Sequence, residues 1–402
     1  MHYADLAGVA IVAVLAPILV NLAPQLRLPS VALEILLGII VGPSVLGWIE
    51  ADVPVEVLST IGLGYLLFLA GMELDFDAVR TKLRPIASGF GISIVLAAAV
   101  ALLIGVADAN DEPLFVAIVL LSTSLSLVVP VLTEAALNRS EFGQLIMGSS
   151  SVAEFGSLLL LSIFFSVGSS GPGAQILLLG AFVVLAIVGG LALTRVGRSI
   201  RALDLLERLG DTPAQLGVRF LLVVMLVFLG FSTRLGFEAI LGAFVAGALL
   251  RVTDSSGQLD DPKLKSKVEA IGYGFLIPAF FVTSGLNFDA DALFGSPAHL
   301  LLVPVLIVGI LVVRGVPAIV YRRLYAGRQL VAAGLLQSTT LSMMVVAASI
   351  GTSVGAIDAG TSAALLTAGI ITVLVFPPIA LALLGDEGAL TPGWESTEDV
   401  DL

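Results

Sequence analysis

The 402-residue sequence contains no cysteine, which excludes a disulfide framework, an iron–sulfur cluster and thiol chemistry. Histidine is nearly as scarce. His2 and His299 lie at the start of the chain and at a predicted span edge, so no histidine cluster is available for a metal site or a catalytic triad. Charge is thin as well: 12% of residues are charged and 58% hydrophobic, against roughly 25% and 45–50% in an ordinary soluble domain. So apolar a chain cannot hide its surface from water as one globule, and it needs lipid as its partner. The net charge of -12 does not call for a basic partner, and no nucleic-acid partner is expected. The first apolar segment starts almost at Met1 without a basic leading region or a small-residue cleavage site, and reads as a retained span.

A helical span takes about 20 mostly apolar residues. At that length thirteen candidates follow one another, at roughly 5–25, 30–48, 56–74, 85–107, 113–137, 142–168, 173–195, 215–235, 236–251, 267–287, 299–322, 328–352 and 360–385. Between the seventh and eighth, residues 198–213 carry charge, with Leu203, Leu205, Leu206 and Leu209 at helical spacing. That stretch reads as an amphipathic cytoplasmic linker helix between two halves. With the N-terminus outside, seventeen of the nineteen Lys and Arg residues fall in inner loops or at inner span ends. Only Arg234 falls outside, and Arg314 lies within a span. The positive-inside rule therefore favours this count and orientation in a bacterial or archaeal inner membrane. The acidic segment 386–402 is then cytoplasmic, and is too short for a folded regulatory domain.

The halves resemble each other. Glu34-Ile-Leu-Leu-Gly38 matches Glu238-Ala-Ile-Leu-Gly242, and Ile61-Gly-Leu-Gly-Tyr-Leu66 matches Ile271-Gly-Tyr-Gly-Phe-Leu276. Leu74-Asp-Phe-Asp77 pairs with Leu286-Asn-Phe-Asp289, and Ser122-Thr-Ser-Leu-Ser126 with Ser338-Thr-Thr-Leu-Ser342. The offsets drift smoothly through 204, 210, 212 and 216 residues, and each pair is seven spans apart. Seven is odd, so the copies face opposite ways, as in the inverted repeats of alternating-access transporters. Hydroxyl runs in mid-span can bond their own backbone and help break a helix, provided a protein or wet environment satisfies the freed groups. Thr123, Ser124, Ser126, Thr339, Thr340 and Ser342, with Gln337 just before the second run, fit two broken helices crossing near the midplane. Close helix packing by small hydroxyl residues is the alternative.

Two charges lie deepest in these spans. Glu154 sits midway along span six behind Ser149, Ser150 and Ser151, and Arg314 past the middle of span eleven. A charge at the bilayer centre costs about 2.5–3.5 kcal/mol on insertion scales, so it is seldom kept without a use. A carboxylate balanced between desolvation and a neighbouring cation can hold either a proton or a metal cation. That competition is the minimum chemistry of a cation/proton exchanger, with Glu154 as carrier, Ser150 and the hydroxyl run beside it, and Arg314 as fixed counter-charge. A buried ion pair that only fixes helix packing is the alternative. Glu34, Glu238, Glu73 and Glu134 lie nearer span ends and read as helix-end or gate groups. No nucleophile–base pair or metal-ligand set supports an enzyme, and no cofactor is expected.

Several stretches then carry a resemblance. Leu28-Pro-Ser-Val with Gly38-Ile-Ile-Val-Gly-Pro43-Ser-Val-Leu-Gly47 is the most specific. Leu67-Phe-Leu-Ala-Gly71-Met-Glu-Leu74, Leu241-Gly-Ala-Phe-Val-Ala-Gly247 and Ile277-Pro-Ala-Phe-Phe-Val-Thr-Ser-Gly285 support it. Over about residues 5–385 the chain resembles the monovalent cation:proton antiporter superfamily, in the branch of bacterial sodium/proton and potassium/proton exchangers. The resemblance implies an all-helical sodium/proton antiporter-like fold and a homodimer. Each protomer would have a scaffold (about 5–48 and 173–251) and a core (about 56–168 and 267–385) that carries the ion by an elevator-like movement. It also implies that Thr123 and Ser124 form the span-five break, Glu154 is the ion-binding acid and Arg314 the span-eleven basic residue, serving pH homeostasis.

The chain departs from that pattern at informative places. Relatives usually carry Asp at the ion-binding acid, preceded by Asp, Asn or Gln, where this chain has Ala153-Glu154. One carboxylate makes exchange of one cation for one proton the simplest cycle. Arg in place of the Lys of electrogenic relatives points the same way, because Arg keeps its proton in proteins. Thr339 and Thr340 stand where many relatives have an acid, and the nucleotide-binding domain of potassium-efflux relatives is not expected in this chain. Sodium (or lithium)/proton exchange is the first reading and potassium/proton exchange the second. A cation-coupled symporter of an organic anion is a third, although no further central basic residue could hold the anion.

Overall fold

The computed structural model describes residues 3–22, 30–73, 82–107, 112–137, 140–165, 215–234, 239–254 and 261–384, together with Gly180 and Leu259. Candidate span seven, the linker 198–213, Glu238 and the acidic segment 386–402 lie outside these residues. Every regular element among the described residues is a helix. Several begin where a capping side chain precedes a proline, which lacks the N–H that a first turn would leave unpaired. Asp52 accepts the Val55 amide ahead of Pro54, Asp261 the Lys263 amide ahead of Pro262, and Ser296 the Ala298 amide ahead of Pro297.

The helices are α1 (Tyr3–Leu22), α2 (Ser30–Val41), α3 (Val53–Met72), α4 (Leu83–Ala107), α5 (Pro113–Leu120), α6 (Leu125–Glu134) and α7 (Glu141–Phe165). There follow α8 (Leu216–Arg234), α9 (Ala239–Thr253), α10 (Pro262–Leu286), α11 (Ala290–Phe294), α12 (Pro297–Arg323), α13 (Arg328–Gln337), α14 (Ser342–Ser353) and α15 (Ala359–Leu384). Eight of these segments are long and apolar enough to cross a membrane, counting α13 with α14 as one, and four shorter apolar segments accompany them. Together they cover twelve of the thirteen candidate spans. Two spans are broken as the hydroxyl runs suggested: the helix stops between α5 and α6 at residues 121–124, and between α13 and α14 at residues 338–341. Two others loosen without breaking, through π-helical turns at Gly272–Leu276 in α10 and Leu311–Gly315 in α12. Such turns often mark functional positions.

The packing forms two groups. Helices α1, α2, α3, α8, α9 and α10 pack mainly on one another, and α4 to α7 with α12 to α15 form the second group. Direct contact between the groups is thin, at α7–α9, α2–α15 and α3–α6. Spans three and ten pack with spans nine and two. The reason is backbone contact at glycine. A Cβ on Gly247 would lie 2.1 Å from the Phe68 carbonyl, and one on Gly285 would lie 2.2 Å from the Ile35 carbonyl. Only glycine permits such approach, and in lipid it is close packing that holds helices together. Repeat mates thus exchange partners, α2 with α10 and α9 with α3. Gly285→Val is accordingly expected to cost about 1–3 kcal/mol or more through overpacking. It would be read as a lower thermal unfolding midpoint in detergent, and an unchanged midpoint would refute this contact.

Candidate functional site

The two breaks meet at the middle of the second helix group, and each residue of the first has a distinct task. Ser122 Oγ contacts Thr340 Oγ1 at 3.0 Å. The Thr123 hydroxyl donates to the Gln337 carbonyl at 2.5 Å, tying the break to the C-terminal end of α13. The Ser124 amide donates to the Thr339 carbonyl at 3.0 Å, while its hydroxyl accepts both the Leu341 and Ser342 amides, at 2.8 and 3.0 Å. Ser124 therefore caps α14 from another span. Ser126 Oγ and Ser342 Oγ lie 3.0 Å apart, which sets the first turns of α6 and α14 against each other. Thr339 Oγ1 instead donates back to Leu335 in its own helix.

Glu154 projects from α7 into this convergence, 2% exposed, and its Oε2 accepts the Leu125 amide at 3.0 Å. Each half-helix N-terminus carries roughly half a positive elementary charge. The first turns of α6 and α14 meet here, and Glu154 is the anion bonded to the N-terminus of α6. No described residue donates to its Oε1. Ser150, one turn earlier on the same face of α7, is fully buried and its hydroxyl has no partner among the described residues. The carboxylate and this hydroxyl are thus two oxygens left available to a proton or a cation.

Arg314 serves the opposite ends of the crossing. It is 1% exposed in the π turn of α12; its Nε donates to Thr123 Oγ1 at 2.8 Å and its Nη1 to Ser93 Oγ of α4 at 3.1 Å. Thr123 in turn holds the last carbonyl of α13, so the cation sits where helix C-termini collect negative partial charge. Among the described residues no ion pair joins Arg314 to Glu154, which the counter-charge expectation had placed together. Each charge answers its own set of helix ends. Near Arg314, the Tyr321 hydroxyl donates to Ser149 Oγ and Ser149 Oγ to Gln337 Oε1, both at 3.1 Å, linking α12, α7 and α13.

The ten predicted site residues are all buried at this one place. Sequence reasoning missed Ser93 and Thr372. Ser93 is one of two serines in an apolar helix, and such residues usually bond their own backbone. Thr372 of α15 accepts the Thr340 amide at 3.3 Å and reaches the Thr340 carbonyl at 2.8 Å, bracing the second break. Glu34 is buried in α2 in the other helix group, and Glu73 lies at the end of α3; neither is at the crossing.

A cavity of about 200 Å³ lies beside the site. Its lining includes Glu73, Arg251, Lys265 and Glu269, together with Leu125, whose amide Glu154 accepts, and Ser151 on α7. Ser124→Ala, which strands two α14 amides, is expected to cost about 1–3 kcal/mol. Ser124→Thr, which keeps the hydroxyl, should recover most of the thermal midpoint in detergent.

The comparisons agree with this geometry. The family model described as sodium/hydrogen exchanger, transmembrane, matches residues 10–384. The chain is 30% identical over 397 residues to YjbQ, a candidate Na(+)/H(+) antiporter of Bacillus subtilis; the match covers 95% of this chain but only 63% of that relative. It is 26% identical over 281 residues to the Na(+)/H(+)-K(+) antiporter GerN of Bacillus cereus, covering 68% of this chain and 69% of GerN. In fold it is similar to the sodium proton antiporter MjNhaP1 of Methanocaldococcus jannaschii, with a TM-score of 0.63 over 95% of this chain and 99% of that one, at 17% identity. Broken helices meeting around one buried carboxylate, in a chain matched along nearly its whole length, place it in the transmembrane sodium/hydrogen exchanger family.

Proposed function

We propose that the chain is a secondary active antiporter that exchanges a monovalent cation, Na+ in the first place, for H+, with Glu154 carrying both. The observation behind this reading is the Glu154 carboxylate, buried at the crossing on the N-terminus of α6, with a cavity beside it lined by Leu125 and Ser151. A proton and a cation compete for its unengaged oxygen and for Ser150. Among the described residues Glu154 is the one acid at the crossing, so the carrier is neutral whether it holds H+ or Na+. Exchange is then one for one and moves no net charge. Arg314 keeps its proton throughout and fixes the breaks rather than travelling with the ion.

Access alternates by movement of the group containing α4 to α7 and α12 to α15 against the group containing α3 and α10. The thin contact between the groups supports this division. The cavity mouth, beside Lys265 and Arg251, is the cytoplasmic side by the positive-inside rule, and the protein works as a homodimer in the cell membrane. Proton flux driven by sodium or by potassium in reconstituted vesicles tests the reading. Sodium-driven flux that does not respond to imposed voltage is expected, and flux with neither ion would overturn it. Potassium as the better driver would establish the second reading, which the printed name of GerN favours.

A further inference from the structure

Helix α7 turns one stripe of side chains toward the other helix group. Met147, Ser151, Phe155 and Leu159 recur every fourth residue, which puts them on one face of the helix. Met147 and Ser151 line the cavity. Phe155 instead stacks on Phe244 of α9, with ring centroids 5.2 Å apart and planes 15° from parallel, and Leu159 packs against the buried Leu241 of the same helix. The facing stripe of α9 divides in the same way. Leu241 and Phe244 meet α7, whereas Arg251, two turns beyond Phe244, lines the cavity. The seam between the groups is therefore open along one half of α7 and filled along the other. Glu154 comes three residues after Ser151 and next to Phe155, so it stands where the open half ends.

Each ring of the stacked pair is fixed to its own group. A Cβ on Gly71 would lie 2.3 Å from the Phe244 carbonyl, so the backbone beneath that ring is pressed against α3. On α7 the residue after Phe155 is Gly156, where a Cβ would lie 2.6 Å from the Phe90 ring of α4. Movement of one group against the other must then pull this pair apart. The contact is apolar, and a stacked aromatic pair weights an equilibrium by only about two- to tenfold beyond the area it buries. That is enough to favour one arrangement and little enough to be undone in every cycle.

We infer that Phe155 and Phe244, backed by Leu159 and Leu241, form the gate that closes Glu154 off from the side opposite the cavity. While the rings are stacked, Glu154 has access only along the Met147 and Ser151 half of the stripe. When they part, the seam opens at Leu159 and closes at Met147, and the side of access changes while Glu154 keeps its place on the N-terminus of α6. Arg251 and Lys265 mark the cavity side as cytoplasmic by the positive-inside rule, so the gate faces outward.

That the gate serves transport rests on the exchange reading above, whereas the gate itself can be tested without transport. The natural chain has no cysteine, so Ser151→Cys and Leu159→Cys each provide a single thiol, one on the open half of the stripe and one on the filled half. Their rates with a water-soluble thiol reagent are compared in detergent, where both faces of the protein meet it. Added to these, Phe155→Ala should speed Leu159→Cys by about two- to tenfold, the weight of a stacked pair. It should also slow Ser151→Cys, because the population moves to the arrangement open on the other side. Phe244→Leu, which keeps an apolar side chain but no ring, should shift both rates in the same directions. A rise at Leu159→Cys without a fall at Ser151→Cys is loosened packing and would overturn the gate, as would rates that ignore both variants. Reciprocal rates in a protein whose vesicles exchange neither cation would sink the exchange reading and leave the gate standing. Exchange without reciprocal rates would do the reverse.

Discussion

Glu154→Gln is expected to reduce cation-driven proton flux to that of protein-free vesicles while leaving the protein folded. The two consequences have separate physical causes. Glutamine is nearly the same size, and its carbonyl can still accept the Leu125 amide that Oε2 accepts at 3.0 Å, so α6 keeps its cap and the crossing keeps its shape. What disappears is the group that exchanges a proton for a cation. No second acid among the described residues at the crossing can stand in for it: Ala153 precedes Glu154, and Thr339 and Thr340 occupy the facing break. Glu154→Asp makes the control. It keeps the acid on a shorter arm that no longer reaches Leu125, so exchange should survive with weaker cation affinity and a lower unfolding midpoint. A pH-sensitive dye inside reconstituted vesicles reads all three proteins. Sodium-driven flux above background in the glutamine variant would remove Glu154 as the carrier.

Much of this site was legible in the sequence because its residues are expensive where they stand. A carboxylate and a guanidinium in mid-span announce themselves by rarity, and paired hydroxyl runs at a repeat offset mark both breaks. Wiring between helices was not legible in the same way. Nothing local to Ser93 distinguishes it from the many serines that bond their own helix, and only the fold sets α4 against the π turn of α12. The packing partners of α3 and α10 were not legible for a related reason: Gly71 with Gly247 and Gly38 with Gly285 bring backbones together across the repeats. A glycine in a span signals close approach but never names its partner. In the sequence Arg314 reads as the fixed counter-charge of Glu154, with a buried ion pair as the alternative. Here the half-helix ends provide each with a compensating field of its own.

That difference has a measurable consequence in the energetics of Arg314. Its Nε and Nη1 make two charge-assisted hydrogen bonds, to Thr123 at 2.8 Å and to Ser93 at 3.1 Å, each worth about 1.5–3 kcal/mol. Arg314→Met should therefore lower stability by about 3 kcal/mol or more, and it should cut exchange as well, because Thr123 and the C-terminal end of α13 lose their anchor. Arg314→Lys keeps the charge, but a single ammonium cannot reproduce the rigid fork, so it should recover only part of both losses. Double-mutant cycles on thermal unfolding in detergent separate the two geometries. Arg314→Met combined with Thr123→Val should show a coupling of about 1–3 kcal/mol, as residues in direct contact do. Arg314→Met combined with Glu154→Gln should be additive within about 0.5 kcal/mol, the behaviour of residues with no shared partner. A direct ion pair requires the reverse ranking. A larger coupling to Glu154 than to Thr123 would mean that the carrier and the arginine share one charge balance, and exchange would then have to move Arg314 with the ion.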